Sequence, residues 1–157
     1  MSRLNEYLSN QPGVGGVSQR VGPYIDCSDL FKIYKRADLE VVALRGLDLA
    51  VESGELIAVI GASGSGKSTL LNILAGLDRP SAGRVMVGNR DLLDVSDDDL
   101  VMYRRSEVGF VWQATARNLV PYLSVADNIE LPMALTGQLA KERRAWADEL
   151  QLSLIHI

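Results

Sequence analysis

The sequence predicts an α/β fold, and three observations carry that prediction. Alternating segments at residues 24–34 and 41–52 read as paired strands, and the apolar run LIAVI at 56–60 leads without spare residues through a glycine-rich loop into a helical pattern. The segments after residue 95 carry helix patterns with capping residues.

Residues 1–22 mix Gly, Ser, Asn, Gln and Pro without hydrophobic period and read as a flexible leader. In YIDCSDLFKIY, Ile25, Cys27, Leu30 and Ile33 stand against polar neighbours, and VVALRGLDLAVE alternates again before a turn at Gly54. Two antiparallel strands at a sheet edge follow from this. LIAVI, apolar throughout and followed by Gly61, predicts a strand covered on both faces. Leu70, Leu71, Ile73 and Leu74 then give a helical apolar face, which Gly76, Leu77 and Pro80 terminate.

GRVMVG at 83–88 is a strand between glycines, and residues 96–107 are a short helix. Ser96 is its N-cap, Asp97 to Asp99 stand at the positive end of the dipole, and Arg104 and Arg105 at the negative end. VGFVW at 108–112 is a second buried-strand candidate. LSVADNIELPMALTG predicts a helix starting near Ser124 with Pro132 inside it, and LAKERRAWADELQL a charged helix with a stripe at Leu139, Trp146 and Leu150.

Composition narrows the function classes. The 157 residues are 47% hydrophobic and 23% charged, with a net charge of −4, enough for one core that buries roughly 70% of the unfolded chain's surface. A pI near 5.0, without clustered Lys and Arg, argues against nucleic acid and anionic lipid as partners. Cys27, the single cysteine, forms no internal disulfide, which fits a reducing compartment. No signal peptide or membrane-spanning run is legible, so direct membrane insertion is not expected and attachment to a membrane would need another chain.

Gly61-Ala62-Ser63-Gly64-Ser65-Gly66-Lys67-Ser68 satisfies G-x-x-x-x-G-K-[ST] at every position, between a predicted strand and a predicted helix. Glycines let successive amide hydrogens point into one concavity that holds phosphate oxygens. Lys67 supplies a positive charge to the β- and γ-phosphates, and the Ser68 hydroxyl in the first helical turn is placed for Mg²⁺. With Thr69, residues 61–69 form the candidate nucleotide loop, and ATP and Mg²⁺ are the ligands it calls for.

Three stretches, VVALRGLDLAVESGELIAVIGASGSGKSTLLNILAGLDRPSAGRV, RRSEVGFVWQ and NLVPYLSVADNIELPM, together make the chain resemble the ATP-binding subunit or domain of an ABC transporter over about residues 24–150. Within that class it is similar to the group serving lipoprotein release and macrolide export. The resemblance implies a P-loop NTPase core of ABC type at 23–113, with an antiparallel β edge, and the start of a helical subdomain at 114–152. Tyr34 would stack on adenine, the alternative being a core tyrosine at a strand edge, and Val42 would lie against the adenosine or belong to the core. Gln113 would reach the Mg²⁺ and the attacking water. Pro121, Tyr122 and Leu123 match the contact with a membrane partner, or else pack within their own domain.

The family's signature LSGGQ, its acidic strand with the catalytic Glu, and its switch histidine have no counterpart here. His156 reads as a tail residue, the domain as incomplete, and 153–157 as a possible non-native junction. The intact protein is then an ATPase that drives export of a solute through transmembrane permease subunits, working as a dimer of nucleotide-binding domains on the cytoplasmic face of the membrane. This chain by itself is expected to bind nucleotide weakly, without sustained turnover. An ABC-type ATPase of DNA repair or chromosome maintenance is the alternative, disfavoured by the compact 67–113 stretch. A non-hydrolysing nucleotide-binding fragment is the other.

Overall fold

The computed structural model describes residues 22–137 and 140–155. The leader assigned to 1–22, apart from its last residue, lies outside that range, as do Leu139 and His156.

Strands β1 (Ile25–Arg36) and β2 (Leu39–Val51) form the antiparallel pair that the alternation predicts, in register from Ile25↔Val51 to Arg36↔Leu39. The other edge of β1 takes β3 (Ala82–Val87), also antiparallel, and β3 takes the short β4 (Arg90–Asp91), so the order is β2-β1-β3-β4. Register shifts bend β1 between Cys27 and Ile33. At the bulge Asp29 has φ 48° and its N–H donates to Asp48 Oδ1 at 2.8 Å. Opposite it residue 83 must be glycine, because a Cβ there would collide with the Asp29 carbonyl.

The chain divides into two compact units. The first, 22–74 with 79–94, contains the sheet and helix α1 (Lys67–Leu74). Its buried side chains include Cys27, Leu30, Leu44, Leu70, Ile73, Val85 and Leu92. The apolar face of α1 is narrower than predicted: Leu70 and Ile73 are buried, but Leu71 is 46% exposed.

Two expectations fail. Residues 56–60 and 108–112 form no strand, and Leu56 (97%), Ile60 (90%) and Val111 (84%) are largely exposed. An apolar run records a demand for burial, but a central strand also needs neighbours to bond with on both edges. The strands described here pair only with one another, and no described strand pairs with either run.

The second unit, 75–78 with 95–155, is helical. Helix α2 (Asp97–Ser106) starts at Ser96 as expected: the Ser96 hydroxyl accepts from Asp99 N–H at 3.1 Å and donates to the Asp99 carboxylate at 2.7 Å. Ser124 and Asp127 repeat this device at the start of α3 (Val125–Leu135), which contains Pro132. Helix α4 (Ala140–Ile155) packs beside α3, linked by Arg144–Glu130 at 3.0 Å and with Ala147 buried. Among the described residues no helix is long and apolar enough to cross a membrane.

Candidate nucleotide-binding site

The loop at 61–69 is built on β2. Gly66 has φ +89°, and a Cβ there would stand 2.5 Å from the Ala43 carbonyl oxygen, so the loop's close approach to β2 depends on the missing side chain. Gly64 has φ +78° with open space around it, so its need for glycine is torsional only. Ser65 N–H closes a turn on the Ala62 carbonyl at 3.3 Å.

Helix α1 begins at Lys67, and Leu70 N–H donates to the Gly66 carbonyl at 2.9 Å. The amides of residues 67–69 precede that bond, so they have no acceptor within the helix and, together with the positive end of its dipole, suit an anion. The Lys67 ammonium turns back over the loop, donating to the carbonyls of Gly61 (2.9 Å) and Ala62 (2.6 Å) and lying 3.4 Å from Ser65 Oγ. These contacts hold the ammonium's donors over the loop, where phosphate oxygens could replace the carbonyls as acceptors.

Ser68 is exposed in the first turn and Thr69 half-buried. Among the described residues no group of three or more His, Cys, Asp or Glu could hold a metal. A Mg²⁺ held by a hydroxyl, phosphate oxygens and water fits such a site, because this ion keeps several waters and binds few protein ligands.

Tyr34 lies on β1 opposite Val41, 39% exposed, with Lys32 Nζ 4.8 Å from its ring centroid. Val42 pairs with Ile33 instead. Directly paired residues share a face and neighbours alternate, so Tyr34 and Val42 look to opposite faces of the ribbon. Val41, 50% exposed, lies on the same face as Tyr34.

Gln113 belongs to the second unit and is exposed directly after the unpaired 108–112 run. Trp112, just before it, packs edge-on against Phe110 (centroids 4.7 Å apart, 63°). The side chain of Asn118 holds both polar groups of the Trp112 backbone: Trp112 N–H donates to Asn118 Oδ1 at 2.6 Å and Asn118 Nδ2 donates to the Trp112 carbonyl at 2.8 Å. Asn128 does similar work further on, accepting from Val120 N–H at 2.7 Å and donating to the carbonyls of Val120, Leu123 and Ser124. Leu119 and Tyr122 stand exposed, Tyr122 at 86%. Neither asparagine was singled out by the sequence, whose only signal was the readiness of Asn to bond backbone in loops.

The family model described as ABC transporter matches residues 44–156. An uncharacterized ABC transporter ATP-binding protein of Thermotoga maritima is 45% identical over 122 residues, 78% of this chain and 51% of that protein. The lipoprotein-releasing system ATP-binding protein LolD of Chromohalobacter salexigens is 40% identical over 126 residues, 80% of this chain and 52% of that one. The macrolide export ATP-binding/permease protein MacB of Rhodopseudomonas palustris is 47% identical over 117 residues, 74% of this chain but 18% of its own length. Among solved structures, a dimeric ATP-binding cassette in a post-hydrolysis state with ADP and Pi superposes with TM-score 0.72 at 38% identity, covering 80% of this chain and 54% of that one. The chain thus spans about half the length of the Thermotoga and LolD relatives.

Proposed function

The chain belongs to the ABC transporter family, and we propose that it is the nucleotide-gripping part of an ATPase that drives export of a solute through membrane-embedded permease subunits. The observation that carries this reading is the loop at 61–69: first-turn amides with no acceptor inside the helix, a glycine seated on Ala43, and a lysine turned back over the loop. The relatives named for macrolide export and lipoprotein release support export over chromosome maintenance.

In this reading the amides of 62–68 and the Lys67 ammonium hold the β- and γ-phosphates of ATP. Ser68 holds Mg²⁺, which when bound neutralises charge on the phosphate oxygens, and Gln113 takes the Mg²⁺-ligand role that the family resemblance implies for it. Tyr34 offers its ring to the adenine. Pro121, Tyr122 and Leu123 belong to the surface that meets the permease, two cassettes pair in the intact assembly, and the protein sits on the cytoplasmic face of the membrane through that contact.

Equilibrium binding of a fluorescent ATP analogue to the purified chain, with Lys67→Ala as control, tests the nucleotide half of the proposal. Co-purification of a permease from membranes tests the other half. Saturable binding lost in Lys67→Ala is expected; equal binding by both chains would overturn it.

A further inference from the structure

Residues 108–112 have no neighbouring strand among the described residues, yet the last of them is held at both polar backbone groups by one side chain, Asn118. A carboxamide carries an acceptor and a donor side by side, as a peptide of a paired strand does, and among neutral side chains only Asn and Gln offer this. The five intervening residues close the loop: Arg117 N–H donates to the Ala114 carbonyl at 2.9 Å, residues 115–117 form a single 3₁₀ turn, and the Arg117 guanidinium lies 6.0 Å from the Trp112 ring centroid.

We propose that Asn118 is a positioning residue for Gln113: its side chain stands in for a strand neighbour at Trp112 and fixes the peptide from which Gln113 departs. The inference rests on the reading of Gln113 as a Mg²⁺ ligand. Gln113 adjoins the clamped peptide, so a rotation there swings its side chain as a lever. A displacement of about 1 Å is enough to cost roughly 10²-fold in a site that depends on geometry. The two bonds are exposed, and exposed bonds add little to stability because water replaces them when they are lost, so their loss perturbs Gln113 far more than the fold.

The chain has two tryptophans, and Trp146→Phe leaves Trp112, the neighbour of Gln113 in sequence, as the sole tryptophan emitter. In that background ATP affinity is measured in EDTA and in Mg²⁺, and Trp112 emission is followed as Mg²⁺ is added to the ATP-loaded chain. Asn118→Ala should weaken the Mg²⁺ response roughly tenfold, as loss of a ligand-orienting partner does, and leave Lys67-dependent affinity in EDTA unchanged. Asn118→Asp keeps the acceptor for Trp112 N–H, loses the donor to its carbonyl, and should fall between; it carries the test alone if Asn118→Ala does not fold.

A full Mg²⁺ response in the Asn118 variants, alongside its loss in Gln113→Ala, would overturn the inference and leave the Gln113 reading standing. A full response in Gln113→Ala, or ATP binding indifferent to Lys67, would overturn that reading and the inference with it.

Discussion

A Cβ placed on Gly66 would meet the carbonyl oxygen of Ala43 at 2.5 Å, whereas one placed on Gly64 would meet nothing within 4 Å. The two glycines have similar positive φ, +89° and +78°, so they separate steric from torsional need. Gly64→Ala should cost about 1 kcal/mol, and Gly66→Ala about 2–4 kcal/mol, since it adds a collision with backbone. Urea midpoints of the two variants check the order, and equal losses would show that the loop can lift away from β2.

Lys67 exchanges its bonds to the Gly61 and Ala62 carbonyls for phosphate oxygens when nucleotide binds. Lys67→Ala should therefore lower the stability of the ligand-free chain by no more than about 1.5 kcal/mol. In the native chain, MgATP at a hundredfold excess over Kd should add about 2.7 kcal/mol that the variant does not show. Thermal melts with and without MgATP measure both differences.

Arg104 donates through Nη1 to the Gly76 carbonyl at 2.6 Å. A partly buried bond from a charged donor accounts for about 1–2 kcal/mol, which Arg104→Ala should remove. Arg104→Lys, with a shorter reach and no planar fork, should recover only part of it in the same denaturation assay.

Burial, with the nearby Asp26 carboxylate as a lesser cause, pushes the Cys27 thiol up to about 11 from an ordinary value of 9.0. The folded state thus favours the protonated thiol. Its contribution to stability is complete below pH 9 and falls away between about pH 9 and 11, where the unfolded chain has already released the proton. Cys27→Ser should flatten that alkaline decline in stability, and a thiol reagent at pH 8 should label the native chain only as fast as it unfolds.

What the sequence disclosed and what it concealed divide along local and non-local causes. The β1–β2 ribbon and the caps at Ser96 and Ser124 were legible because alternation and side-chain capping act within a few residues. The glycine loop was legible because its spacing is its chemistry. LIAVI and VGFVW read as strands yet stay unpaired because pairing depends on strands elsewhere, and the exposure of Leu56, Ile60 and Val111 cannot be inferred from apolarity alone. Tyr34 and Val42 each carry two readings, adenosine contact or core, and the register that puts them on opposite faces depends on the bulged pairing of β1 with β2. The Asn118 clamp stayed hidden because it depends on the path of the loop.

The unpaired run at 56–60 bears on how the protein behaves in a tube. Five consecutive apolar residues, without charge or proline and with Leu56 and Ile60 open to solvent, are a patch on which a second molecule can bury its own apolar surface. Crowded samples should therefore scatter light and lose monomer on standing. The chain's colloidal shelf life would then be set by a segment only one residue away from the phosphate loop.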